Sequence, residues 1–278
     1  MMGYAYYNGQ FGRKDEIRIG LSDRVIYFGD AVYDVAVGRG GRLHQGDEHI
    51  GRLLSGALAL GFECAYTADD IEDIVSGVVR RAGYKAYTVY MQLSRDAEHR
   101  VHSPSVSRGI NLLVTVDELT YNVGGGEVKL ISLEDKRYRY CNIKTVNLLP
   151  AVMYSRLAEE AGCEEAALHR GGVVTECAHS NISIIRDGVL YTHPEGELIL
   201  PGITRRHLLM GARALGIECR EVPFTLAELY RCDECLVTST TRLCRRGIEL
   251  DGVRIGGRDG ERFSRLSNYL LEEFNKFR

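Results

Sequence analysis

The sequence has few of the signals that mark alternative functions. It contains no run of about eighteen apolar residues, and its start, Met1-Met2-Gly3-Tyr4-Ala5-Tyr6, has neither the basic nor the apolar stretch of a secretion signal. A membrane span therefore has no support, and a cytoplasmic location is the expectation. Charge of one sign is also missing: 35 Lys and Arg stand dispersed among 38 Asp and Glu, for a net charge of -3. A nucleic-acid partner needs a basic face, so small molecules are the expected ligands. With only 5 prolines, no low-complexity tract and no internal repeat, nothing points to a disordered tail or a solenoid. The 8 cysteines lack the secretory context of a disulfide framework and are expected as reduced, mostly buried thiols. Cys232-Asp233-Glu234-Cys235 is the only C-x-x-C, without a second pair or a histidine pair at zinc spacing, so no metal is expected. No G-x-G-x-x-G opens a helix after a strand, which leaves a nicotinamide cofactor without support.

What is present is a globular chain of 278 residues, 45% hydrophobic and 26% charged, long enough for two domains. Tyr4-Ala5-Tyr6-Tyr7 runs into Asn8-Gly9, a tight-turn pair, and Gly38-Arg39-Gly40-Gly41 marks another turn. Apolar residues at helical spacing predict helices over Glu48–Leu60 and Ala68–Ala82, stopped by Gly61 and Gly83. Ala86–Leu93 and Ile110–Val116 read as strands. Gly124-Gly125-Gly126 divides the chain, giving a small N-terminal α/β domain over 1–120 and a larger one over 121–278. In the second part, Leu148–Ala161 and Thr204–Leu215 read as helices, and Leu266–Phe277 as an amphipathic terminal helix. Ala166–Leu168 with Val173–Thr175 reads as a hairpin around Gly171-Gly172, and Asn181–Ile185 with Val189–Thr192 as a hairpin around Asp187-Gly188. Glu234–Thr238 is a further strand. Hairpins mixed with separate helices predict an α+β or mixed α/β protein.

Chemistry concentrates in two places. Lys144 stands in Cys141-Asn142-Ile143-Lys144-Thr145-Val146-Asn147-Leu148-Leu149-Pro150, and Glu176 closes Val173-Val174-Thr175-Glu176 roughly thirty positions later. An amine that forms a Schiff base, followed by a carboxylate that keeps a pyridine nitrogen protonated, is the pair a pyridoxal 5'-phosphate enzyme needs. Each residue alone reads more simply, as a solvated lysine and an outward strand side chain. Such an enzyme also needs a phosphate cup. Leu200-Pro201-Gly202-Ile203-Thr204-Arg205 places free N–H groups at a helix start, which suits an anion or an ordinary N-cap. Thr238-Ser239-Thr240-Thr241 ends a strand with four hydroxyls, as a polar turn also would. Arg52 suits a phosphate dianion, or a surface pair with Glu48 on the same helix. Arg100 and His102, in Ser94-Arg95-Asp96-Ala97-Glu98-His99-Arg100-Val101-His102, would project to one side of an extended segment and clamp a carboxylate, or form a basic surface loop.

These motifs resemble the class IV aminotransferases, fold type IV pyridoxal phosphate enzymes that include D-amino acid aminotransferase, branched-chain aminotransferase and aminodeoxychorismate lyase. The matching stretches span nearly the whole chain. They are Asp23-Arg24, Phe28-Gly29-Asp30-Ala31-Val32-Tyr33-Asp34-Val35, Glu48-His49-Ile50, Arg52-Leu53, Ile143-Lys144 and Asn147-Leu148-Leu149. Val174-Thr175-Glu176, Ser180-Asn181, Gly202-Ile203-Thr204-Arg205 and Thr238-Ser239-Thr240-Thr241 complete the set. The resemblance implies a cofactor held between the two domains. Lys144 would be its Schiff-base lysine and proton carrier, Glu176 its ring-nitrogen partner, and Leu200 would pack on the ring. Arg52, Ile203, Thr204, Ser239 and Thr240 would form the phosphate cup. It further implies a homodimer whose active site lies near the subunit interface.

Within the family, D-amino acid aminotransferases resemble this chain most, because an arginine and a histidine at the places of Arg100 and His102 hold the substrate carboxylate there, with the tyrosine matching Tyr33. His49 matches a histidine near that clamp that comes from across the dimer interface. The branched-chain and lyase groups lack the Arg-x-His pattern. The implied reaction moves an amino group from D-alanine or a similar donor to 2-oxoglutarate, giving D-glutamate. The alternatives are a branched-chain L-aminotransferase, a lyase of the same fold, or a non-catalytic cofactor-binding module. Three departures stand out. Pro150 replaces a small residue and fits the first turn of a helix. Cys177-Ala178-His179 replaces a hydroxyl-rich stretch beside the cofactor. Leu243-Cys244-Arg245-Arg246 replaces an apolar run, so the two arginines either favour dicarboxylate substrates or are solvated.

Overall fold

The computed structural model describes residues 3–97, 99–103 and 107–277. It contains two compact units. One holds the residues up to Tyr121 together with Ile143–Asn147, and the other Asn122–Asn142 and Leu148–Phe277.

The first unit contains, in chain order, β1 (Tyr4–Tyr7), β2 (Gln10–Arg13), α1 (Val25–Phe28), β3 (Ala31–Arg39), β4 (Arg42–Leu43), α2 (Gly46–Ala59), α3 (Ala68–Ala82), β5 (Ala86–Ala97) and β6 (Ser107–Glu118). Its strands form an antiparallel sheet in the order β2-β1-β6-β5-β3-β4. Asn8 and Gly9, both at positive φ, turn the first hairpin as their residue types predict. A capping box of Thr67 and Asp70 starts α3, and left-handed Gly83 ends it. Ile50, Leu53 and Ala57 on α2 and Ile71, Val75 and Val78 on α3 pack on Met91, Leu93, Leu112 and Val114 of the sheet. Complete burial of a large apolar side chain contributes roughly 1.5–3 kcal/mol.

The second unit contains β7 (Glu127–Glu134), α4 (Leu149–Glu160), β8 (Glu165–Arg170), β9 (Val173–Cys177), β10 (Asn181–Arg186), β11 (Val189–Thr192) and α5 (Ile203–Ala214), followed by β12 (Cys219–Glu221), α6 (Leu226–Tyr230), β13 (Glu234–Ser239), β14 (Leu243–Leu250), β15 (Val253–Arg254) and α7 (Gly260–Lys276). Its sheet runs β12-β11-β10-β13-β14-β7-β8-β9, with β15 on β14. The three residues Ala178–Ser180 carry the chain from edge strand β9 to β10 near the other edge of the sheet. A flat sheet could not be bridged so briefly, so this one is curled.

Four strands of this unit, β7, β12, β14 and β15, were not expected from the sequence; β7 and β14 pair in parallel. The last helix starts earlier than its apolar spacing predicts, because Asp259 accepts from Arg262 N and caps a polar first turn. Pro150 lies in the first turn of α4. All 8 cysteines are free thiols, five of them buried. Among the described residues no helix is long and apolar enough to cross a membrane.

Candidate active site

Lys144 is fixed through its backbone. β3 is flanked by β5 along its whole length but by β4 only at its far end, leaving the edge of Ala31–Tyr33 open. Ile143–Asn147 fills that edge: Tyr33 N donates to Lys144 O at 2.9 Å, Val146 N to Ala31 O at 3.2 Å, and Thr145 bridges Val32. Asn147 Nδ2 then donates to Gly29 O at 3.0 Å. Gly29, at φ 58, has no room for a side chain, since a Cβ would lie 2.6 Å from Asn147 Oδ1. The half-buried Lys144 amine donates to Tyr33 Oη at 3.3 Å, and Tyr33 stacks on Tyr90 with ring centroids 5.3 Å apart.

The next residue on β3, Asp34, is fully buried. Arg52 grips it through Nε at 2.7 Å and Nη2 at 2.9 Å, and His49 Nδ1 lies 2.7 Å from Oδ1. Burial alone would raise the Asp34 pKa, but the hydrogen bonds of His49 and Arg52 and the Arg52 charge outweigh it and hold it at about 2. Arg52 is thus anchored inward on Asp34. His49, expected from across a subunit interface, is instead fully buried in its own unit by the same carboxylate. Asp34 ionises more readily folded than unfolded, so its stabilisation is present above pH 3.8 and is lost as pH falls toward 2. Urea unfolding should lose about 1 kcal/mol from this group between pH 5 and 3. In Asp34→Asn, destabilised overall by the uncompensated Arg52, that part of the slope should be absent; an identical slope would show that Asp34 titrates normally.

Arg100 and His102 form a second group in this unit. The Arg100 guanidinium lies 5.2 Å from the centre of the Phe28 ring, and the His102 ring lies 5.3 Å from it. Both are exposed. Their segment is held by Arg24, which donates to Val101 O at 2.6 Å and His102 O at 3.1 Å while paired with Asp30 at 2.7 Å. This explains the Asp23-Arg24 motif: Arg24 is the buried strut of the Arg-x-His loop.

The second unit carries the acid. Glu176, buried on β9, accepts from Asn181 Nδ2 at 2.9 Å and Leu200 N at 3.0 Å on Oε2, and from Arg137 Nη1 at 2.5 Å on Oε1. Burial pushes its pKa up to about 7, against the pull of Arg137 and the Leu200 N–H. Asn181 also donates to Leu200 O at 2.9 Å and pairs in register with Thr238 of β13. The start of α5 lies against the same side chain, since a Cβ on Gly202 would fall 1.9 Å from Asn181 Oδ1. Asn181 therefore ties the acid, the helix start at Ile203-Thr204 and the turn carrying Ser239 and Thr240 together. No side chain caps α5, and Ile203 and Thr204 are buried, so its first N–H groups remain to meet an anion. Each unit by itself thus fits part of a pyridoxal phosphate: an oriented amine in one, an acid and an anion-binding helix start in the other.

Two of the sequence departures have structural answers. The Cys177–Ser180 turn is underpinned by buried Glu165, which accepts from Ala178 N at 3.2 Å and Ser180 Oγ at 2.6 Å and lies 2.5 Å from His179 Nδ1. On β14, Arg245 donates to Glu127 O and pairs with Glu164 at 3.8 Å. Arg246 lies 3.0 Å from buried Glu234, in a geometry too bent for a hydrogen bond, and stacks on Phe263. Both arginines therefore have partners within their own unit.

Sequence reasoning missed Arg137, Asp135 and Asp34. A charged residue inside the β-rich run Ala31–Val37 was a usable signal for Asp34. Arg137, in Lys136-Arg137-Tyr138-Arg139-Tyr140, reads as one of three cations in a solvated segment, and nothing local distinguishes it.

The sequence matches the family described as Amino-transferase class IV over residues 31–249. It is 34% identical over 275 residues to a D-alanine aminotransferase of Listeria monocytogenes serotype 4b, covering 96% of this chain and 94% of that protein. It is 31% identical over 279 residues to a D-alanine aminotransferase of Staphylococcus haemolyticus, covering 99% and 98%. Its fold is similar to that of a T.th. branched-chain amino acid aminotransferase complexed with N-(5'-phosphopyridoxyl)-L-glutamate, with a TM-score of 0.89 at 25% identity, covering 100% of this chain and 95% of that one. The chain belongs to the class IV aminotransferases.

Proposed function

We propose that the chain is a D-amino acid aminotransferase that uses pyridoxal 5'-phosphate to move an amino group from D-alanine or a similar donor to 2-oxoglutarate, giving pyruvate and D-glutamate. The observation that carries this reading is the Arg100-x-His102 segment, braced by Arg24 against Phe28, in a chain similar over nearly its whole length to D-alanine aminotransferases. When bound, the cofactor supplies an aldehyde that takes the amino group and a ring that draws electrons from the substrate carbon.

The chain's own groups divide the remaining work. Lys144 Nζ holds the cofactor, then carries the proton removed from the substrate α-carbon, with Tyr33 Oη keeping it in place. Glu176 would pair with the ring nitrogen, and Leu200 would pack on the ring. The N–H groups of Ile203 and Thr204, the hydroxyls of Ser239 and Thr240, and Arg52 would hold the phosphate. Arg100 and His102, with Tyr33, bind the α-carboxylate. The protein is proposed to work in the cytoplasm as a homodimer; exposed Leu148, Leu149, Val152 and Met153 give the start of α4 an apolar face that a second copy can cover.

The branched-chain reading is favoured by the likeness to the T.th. enzyme, and a direct assay separates the two. Purified protein with pyridoxal phosphate, sedimenting as a dimer, should convert D-alanine and 2-oxoglutarate to pyruvate and D-glutamate. It should leave L-alanine, L-leucine and aminodeoxychorismate essentially unchanged. Turnover confined to L-leucine would refute the D-amino acid reading.

A further inference from the structure

A carboxylate has about four acceptor positions on its two oxygens. On Glu176, Oε2 receives Asn181 Nδ2 and Leu200 N, and Oε1 receives Arg137 Nη1. Among the described residues nothing takes the remaining position on Oε1, beside the guanidinium. Arg137 cannot drift from this contact. Its Nε and Nη2 hold Asp135 Oδ1 and Oδ2 at 2.9 and 3.0 Å, and Nη2 also donates to Leu198 O at 3.2 Å. Asp135 is fixed in turn by Arg170 Nε at 3.2 Å, Thr175 Oγ1 at 3.1 Å and Arg137 N at 3.1 Å, while Arg170 Nη2 donates to Arg137 O at 2.7 Å. The arrangement is a buried or half-buried lattice of two acids and two arginines, balanced in charge, with the Cys141 thiol nearby.

We propose that Arg137 is a positioning residue: clamped by Asp135, it keeps Glu176 an anion and turns its one open acceptor toward the protonated ring nitrogen of the pyridoxal phosphate. This rests on the assignment of Glu176 to the ring nitrogen made above. Without Arg137 the lattice holds two acids and one cation, and buried Glu176 relieves the excess by taking a proton. As a neutral acid it would donate to an unprotonated ring nitrogen, and the ring would draw electrons less strongly.

The charge state can be read without turnover. In cofactor-free protein with 13C-labelled glutamate carboxyls, Glu176 is assigned by comparison with Glu176→Gln, and its midpoint is followed with pH. Arg137→Gln should raise that midpoint by about one pH unit or more, with Arg137→Lys in between. Asp135→Asn, which keeps the cation and removes the neighbouring negative charge, should lower it instead, and this opposite shift serves if Arg137→Gln does not fold.

A second readout compares binding of pyridoxal phosphate with that of 1-deazapyridoxal 5'-phosphate, in which a carbon replaces the ring nitrogen. The native protein should prefer pyridoxal phosphate, and Arg137→Gln should cut that preference about tenfold. A merely loosened fold would weaken both alike. Equal binding of the two by native protein would refute the Glu176 assignment and this proposal with it. A native preference that survives in Arg137→Gln, with an unmoved Glu176 midpoint, would overturn the role of Arg137 alone.

Discussion

Lys144→Ala is expected to lower transamination of D-alanine by about 10⁴-fold or more, with little change in folding stability. The amine is asked to do two things, anchor the cofactor and carry a proton, and no other side chain held at the Ala31–Tyr33 edge can do either. The stability expectation follows from the geometry. The segment is held by backbone bonds from Tyr33 N and Val146 N and by Asn147 on Gly29, none of which involves the Lys144 side chain. Truncation beyond Cβ removes one hydrogen bond to Tyr33 from a half-buried site, a change of about 1 kcal/mol. The variant should still bind pyridoxal phosphate through the phosphate cup, but borohydride should no longer attach it to the chain, and a small primary amine in the buffer should restore part of the rate. Retention of more than about a tenth of native turnover would remove Lys144 from the chemistry.

Arg100→Ala is expected to raise KM for both D-alanine and 2-oxoglutarate by about 10²-fold, with a smaller fall in kcat and unchanged cofactor content. Both substrates carry the same α-carboxylate, so both should suffer alike. The exposed Arg100 rests on the faces of Phe28 and Tyr27, at 5.2 and 5.8 Å, so its removal should leave the loop standing on Arg24. Arg100→Lys should recover only part of the affinity, because an ammonium lacks the planar fork that meets a carboxylate at two points. Loss of cofactor with normal substrate affinity would overturn the clamp assignment.

The parts of the fold legible in the sequence are those where local chemistry acts alone. Asn8-Gly9 and Asp187-Gly188 make hairpins because both residues of each pair accept positive φ, and α3 is bounded by Thr67 and Gly83 as their types dictate. β14 was opaque because Arg245 and Arg246, one on each face, interrupt its apolar residues, and their charges are met by residues outside the strand. The site shows the same division. Lys144, Glu176 and the helix start after Gly202 stand in recognisable runs. Arg137 becomes visible only when folding brings it to Glu176, and Asn181 acquires meaning only through its simultaneous contacts with Glu176, Leu200 and Gly202. His49 shows that a motif can locate a residue and still leave its partner undetermined: the burial of Asp34 decided that.

The most direct test is a half-reaction. Protein loaded with pyridoxal phosphate is mixed with D-alanine or with L-alanine, no acceptor being present, and each sample is then treated with borohydride and examined by peptide mass spectrometry. The account predicts cofactor attached at Lys144 in untreated protein, lost after D-alanine with about one pyruvate formed per site, and retained after L-alanine. No reducible attachment at Lys144, or loss with L-alanine alone, would contradict it.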